Sequence, residues 1–183
     1  MIGLLKQLFS WRKYLQPLAA TIAIALIASQ IAVFPAFATG VYEMPVLSVG
    51  DRTWVFDKVD VLSRSSESNI SSVLDTLEKQ TGKEVRFVTI HRLDYGETAT
   101  SFTNQLFEQW FPTKEDQADR ILLVLDTVTN SAAIRTGEGV KSLLTDEIAQ
   151  SVAGETVQVP LREGNKYNEA FAAASSRIAT VLS

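Results

Sequence analysis

The chain has 183 residues, with 17 basic and 21 acidic side chains, one histidine and no cysteine. Three of the basic residues and none of the acids fall in the first 38 positions, so the remainder sets 14 basic residues against 21 acids, a net −7. That balance argues against nucleic acid or an anionic lipid surface as a partner, and the missing cysteine excludes disulfides, thiolate chemistry and Cys-ligated metals.

Lys6, Arg12 and Lys13 head the chain, "PLAATIAIALIASQIAVF" follows without a charge, and Ala36-Phe37-Ala38 has the A-x-A form. These features describe a signal peptide over residues 1–38, cleaved after Ala38. The apolar run also approaches the roughly 18–20 residues that span a bilayer, so an uncleaved anchor is the alternative. Either form implies export. Residues 39–53 are rich in turn formers and are expected to make an extended lead-in to one domain over residues 54–183.

"WVFDKVDVLS" (54–63) alternates well enough for a strand ending near Asp57–Asp60. A helix follows, capped by Ser65 or Ser66, with Ile70, Val73, Leu74 and Leu77 on one face and Gly82 as its stop. "EVRFVTI" (84–90) reads as a strand, "TATSFTNQLFEQW" (98–110) as a helix ended by Pro112, and "ILLVL" (121–125) as a strand covered on both faces. "SAAIRT" (131–136) is placed as a hairpin partner of that strand. Helices are expected over 145–153, capped by Thr145, and over 166–182, capped by Asn165. Strand, helix, strand, helix, strand implies α/β architecture: a single-domain sandwich with a small, mostly parallel sheet and helices on both faces. In such folds ligands collect at the carboxyl ends of the strands.

The motif search excludes more than it finds. Gly137-Glu138-Gly139 lacks the third glycine of a dinucleotide fingerprint, since Ser142 stands there, and lacks the ending of a P-loop. These glycines are expected to permit positive φ at a turn, and no nucleotide site follows. His91 is the one histidine and no nucleophile motif accompanies it, so neither a His/Cys zinc site nor a catalytic triad is expected. Carboxylates remain. Asp57 and Asp60 end the first strand, Asp119 and Asp126 flank the buried one, and Asp146-Glu147 open a helix. If Asp57, Asp126 and the 146–147 pair converge at one sheet edge, their oxygens suit Ca²⁺ or Mg²⁺. The simpler reading of Asp146 and Glu147 is a favourable place in the first turn of a helix dipole.

The order "WVFDKVDVLS", "TGKEVRFVTI", "LFEQWF", "ILLVL", "IRTGEGVKSLLTDE" and the tail "VPLREGNKYNEAFAAASSRI" resembles the TPM-domain family over residues 54–183. The tail is similar to the branch found in the thylakoid lumen, where the resemblance implies a role in photosystem II repair, in a cyanobacterial form. It implies an exported protein of the thylakoid lumen or periplasm that contacts photosystem II core or assembly intermediates, and the thylakoid membrane surface indirectly. It also implies a groove lined by acids matching Asp57 and Asp146, where some relatives bind Ca²⁺ or act as acid phosphatases. Asp57, Asp60, Asp126 and Asp146 are therefore the candidate ligands of a divalent cation. Lys58 stands where the family often has a second acid and Arg120 where it usually has glycine, two cations expected beside that groove.

Overall fold

In the computed structural model, residues 38–183 are described; the expected signal segment lies outside them but for its last residue. A 3₁₀ turn, Val41–Glu43, precedes β1 (Val55–Asp57), α1 (Arg64–Thr81), β2 (Glu84–Ile90), α2 (Ala99–Trp110) and the single-turn α3 (Lys114–Gln117). There follow β3 (Arg120–Asp126), β4 (Ser131–Thr136), α4 (Asp146–Ser151), a π-helical stretch (Val152–Val157), α5 (Gln158–Gly164) and α6 (Tyr167–Leu182). The strands form one sheet in the order β1-β2-β3-β4, with β1 to β3 parallel and β4 antiparallel. Helices cover both faces, so the chain builds the α/β sandwich its pattern implies. No helix among the described residues is long and apolar enough to cross a membrane.

Local chemistry explains most element ends. Ser63, and not Ser65 or Ser66 as expected, starts α1 by accepting from Ser66 N at 3.2 Å. Gly82 stops that helix in the left-handed conformation at φ 72°. Thr98 and Ser101 form a capping box at the start of α2. The first strand is shorter than its alternation suggests, because Asp57 begins a turn that carries Asp60 at φ 55°.

The pleat sends alternate side chains to opposite faces. Val85, Phe87, Ile121, Leu123 and Leu125 meet α1 and α6, and Val88, Ile90, Leu122 and Val124 meet α2. Phe87 stands edge-on to Phe171 with centroids 5.4 Å apart, tying β2 to α6. Each such side chain contributes about 1.5–3 kcal/mol on full burial. The steps β1 to β2 and β2 to β3 advance across the sheet in one direction, yet α1 and α2 lie on opposite faces. The two crossovers are therefore of opposite hand, and one departs from the usual right-handed rule.

The lead-in packs as part of the domain. Met44 is buried against the α2 face, and the indole of Trp110 donates to Pro45 O at 2.7 Å. Arg86 donates to Ser48 O at 2.6 Å and Asp51 O at 3.2 Å while lying 2.5 Å from Glu84 Oε1. Its guanidinium also sits over the rings of Trp110 and Phe111, 5.5 and 5.2 Å from their centroids. Arg120 Nε lies 3.1 Å from Glu84 Oε2. Burial pushes the Glu84 carboxyl above its ordinary range, and the two guanidiniums oppose that push.

Between the helices expected over 145–153 and 166–182 the chain stays helical, which Gly154 and Pro160 conceal in the sequence. Pro160 has no N–H to give Thr156, and the backbone before it takes the wider π pitch. Arg177 of α6 braces this stretch, donating to Thr156 Oγ1 at 2.6 Å and Ser151 Oγ at 2.8 Å. Asn165 lies in the left-handed conformation at the end of α5 and does not cap α6; Lys166 holds the cap position without a side-chain bond.

Candidate functional site

The carboxyl edge of the parallel strands is where a ligand is expected, and its geometry starts from Asp57. Asp57 ends β1 half-buried; its Oδ1 accepts a short hydrogen bond from Thr89 Oγ1, and its Oδ2 accepts from Leu62 N at 2.7 Å. The carboxylate thus closes the turn into α1 as an acceptor of backbone and hydroxyl protons. Asp60 is exposed at the tip of that turn. Ser63 N donates to Asn168 Oδ1 at 2.8 Å, and Asn130 Nδ2 donates to Asn165 Oδ1 at 3.3 Å. Asp60, Asn130 and Asn165 all have positive φ, a conformation asparagine and aspartate tolerate best among non-glycine residues. One rim therefore gathers the turn after β1, the β3–β4 hairpin and the loop before α6.

The expected convergence of carboxylates at this rim does not occur. Asp57 is level with Thr89, which is level with Leu125 on the α1 face, whereas Asp126 is level with Ile90 on the α2 face. Pleat alternation sends Asp57 and Asp126 to opposite sides of the sheet, two strands or roughly 10 Å apart. Asp126 is 1% exposed and shapes the hairpin, its Oδ1 accepting from Val128 N at 2.9 Å and its Oδ2 from Thr129 Oγ1 at 2.8 Å. It borders a cleft of about 490 Å³ with Arg92, Asp94, Glu97 and Thr98. Hydrogen bonds from Ser101 and Gln105 hold the Glu97 carboxyl below its ordinary range. Asp146 is exposed in the first turn of α4 and lines a different cleft, of about 310 Å³, along β4. Neighbouring Glu147 is held below its ordinary range by backbone and Thr145 hydrogen bonds at that helix start.

Among the described residues, no group of three or more histidines and carboxylates stands close enough to hold one metal ion. Ca²⁺ draws six to eight oxygens to within about 2.3–2.6 Å. Asp57, Asp60, Asp126 and Asp146 as placed do not fit such a set. Of the two cations expected beside the groove, Lys58 pairs with Glu43 at 2.7 Å and Arg120 lies at the amino edge with Glu84. His91 is exposed at the end of β2. Gly137 and Gly139 serve a purpose other than positive φ: a Cβ at Gly137 would stand 1.7 Å from Gln117 O, and one at Gly139 would stand 2.7 Å from Asp119 Oδ1. Their N–H groups donate to Arg120 O and Ala118 O, each at 2.8 Å, so both glycines allow close passage of two backbones.

The rim residues that motif reasoning misses are Thr89, Asn130 and Asn168. The one available signal was the clustering of asparagines near turns, which points to local hydrogen bonding and to no particular ligand.

Comparison with known proteins agrees with this architecture. The N-terminal domain of a protein from P. gingivalis, solved by NMR, superposes with TM-score 0.72 at 22% identity, covering 79% of this chain and 92% of that one. The N-terminal domain of the cg2496 protein from Corynebacterium glutamicum gives TM-score 0.58 at 16% identity, covering 80% and 88%. Both likenesses concern the fold alone. A chloroplastic UPF0603 protein of Oryza sativa subsp. indica is 32% identical over 142 residues, 76% of this chain and 47% of its own length. Its chloroplastic counterpart from Arabidopsis thaliana is 28% identical over 130 residues, 71% and 45% respectively. The chain thus spans about half the length of these relatives. The family model described as TPM domain matches residues 55–181, and the chain belongs to that family.

Proposed function

We propose that the protein is a lumenal accessory factor for photosystem II repair or assembly, protecting against photodamage by binding and not by turnover. The observation that carries this reading is the 32% identity to a chloroplastic relative, which extends over 142 residues. An acidic, cysteine-free domain behind an export-type leader is in keeping with it. The carboxylates support binding as well: Asp57 and Asp126 spend their oxygens on their own turns and face opposite sides of the sheet. The test is immunoprecipitation of the full chain from gently solubilised thylakoids. Co-recovery of photosystem II core or its assembly intermediates is expected, and recovery of neither overturns the proposal.

The second reading, a Ca²⁺- or Mg²⁺-dependent acid phosphatase, draws on the exposed Asp146 beside its cleft. It needs several carboxylates on one ion, and the placement above does not supply them. Phosphatase turnover by the purified full chain, with either ion added, is expected to stay at background in wild type and Asp146→Asn alike. Ion-dependent turnover that collapses in the variant would replace binding with catalysis.

A further inference from the structure

One of the two free edges of the sheet, that of β4, points to how such a protein would bind. Among the described residues, β4 pairs with β3 on one side and with no strand on the other. An unpaired edge offers a row of backbone donors and acceptors, and proteins usually blunt it with proline, lysine or an outward charge. The segment "SAAIRT" has neither proline nor lysine, and its one charge, Arg135, turns onto the α2 face, 5.8 Å from the ring centroid of Phe107. The cleft of about 310 Å³ lies along this edge: residues 132–134 form its floor, Thr100 of α2 one wall, and Asp146, Ala149, Ala153 and Gly154 the other. It is a slot between the two helical layers, open where the next strand of the sheet would run.

Gly154 is the second, independent sign. Glycine inside a helical stretch is destabilising relative to alanine. Here nothing in the chain requires it: its φ is not positive, and a Cβ would meet no atom within 4 Å. The missing side chain leaves room over the slot. We propose that β4 is a strand-addition site that takes an extended segment of a partner protein, with small side chains over Gly154 and a basic residue against Asp146. Main-chain pairing supplies the affinity and the flanking contacts supply the choice of segment. Charge selects against a second copy of this chain, because β4-to-β4 pairing would bring together two acidic bodies, each of net −7 over residues 39–183.

This proposal rests on the binding reading for its setting, but the edge is tested separately. Displayed peptides of about ten residues are selected on the detergent-solubilised full chain. Extended sequences with basic residues are expected, and N-methylation of alternate peptide amides should abolish their binding. Gly154→Phe should weaken binding about tenfold or more with the melting curve unchanged, and Asp146→Asn should weaken it and flatten its salt dependence. Gly154→Ala, which keeps the helix, should weaken it less. Selection of no peptide, or peptides indifferent to N-methylation and to both Gly154 variants, overturns the proposal. Dimerisation that Gly154→Phe abolishes also overturns it, by making a second copy the occupant. If Gly154→Phe loses peptides yet still recovers photosystem II, the edge stands and serves another partner. If recovery from thylakoids succeeds while no peptide is selected, the edge falls and the binding role stands.

Discussion

The two ends of the sheet handle charge in opposite ways. At the amino end, Glu84 and Arg86 are each 1% exposed and paired, with Arg120 completing the group and Arg86 gripping the lead-in. At the carboxyl end, Asp57 and Asp126 form no ion pair among the described residues and accept from N–H and hydroxyl groups, most of them in the turns they start. A buried ion pair resists the loss of either member, whereas the half-buried Asp57 can exchange its turn bonds for water. One end therefore secures the fold, and the other shapes a rim that remains open to contact.

Substitutions can break or sharpen this contrast. Arg86→Ala should cost most, about 3–5 kcal/mol in urea unfolding, because it strands the buried Glu84 carboxylate and frees the lead-in. Gly137→Ala should cost about 1–3 kcal/mol, since its new Cβ would overlap Gln117 O at the same end. Asp57→Ala should cost less, about 1–2 kcal/mol, by removing the acceptor for Leu62 N and Thr89. A loss at Asp57 equal to that at Arg86 would erase the distinction between the two ends.

Glu97 gives the smallest effect and a signed pH dependence. Its carboxyl is held below the ordinary glutamate value of 4.5, chiefly by the Ser101 hydroxyl and then by Gln105. A depressed folded value contributes stability above the unfolded value and loses it as pH falls through the folded one. Glu97→Gln should flatten that part of the acid limb, measured as unfolding midpoint against pH, and leave the profile near neutrality parallel to wild type.

Much of the fold is legible one segment at a time. Gly82 stops α1, Pro112 follows α2, and "ILLVL" is an apolar run buried on both faces. Those features act over a few residues, through backbone freedom, a missing N–H and burial. The stretch 152–164 was not legible, because Gly154 and Pro160 read as breakers until Arg177 and the packed apolar side chains hold the chain helical around them. The purpose of Gly137 was hidden for a similar reason, since its crowding neighbour Gln117 belongs to another segment.

The candidate site shows where local information ends. By itself the sequence determined a basic head followed by an uncharged apolar run, an acidic remainder without cysteine, the alternation of strands and helices, and a set of aspartates at strand ends. Only the tertiary structure decided that Asp57 and Asp126 point to opposite faces, that Asp146 borders a separate cleft, and that β4 is left as an open edge. The physical reason is register: a one-residue shift between paired strands moves a side chain through the sheet, and nothing within a single strand records its neighbour's phase.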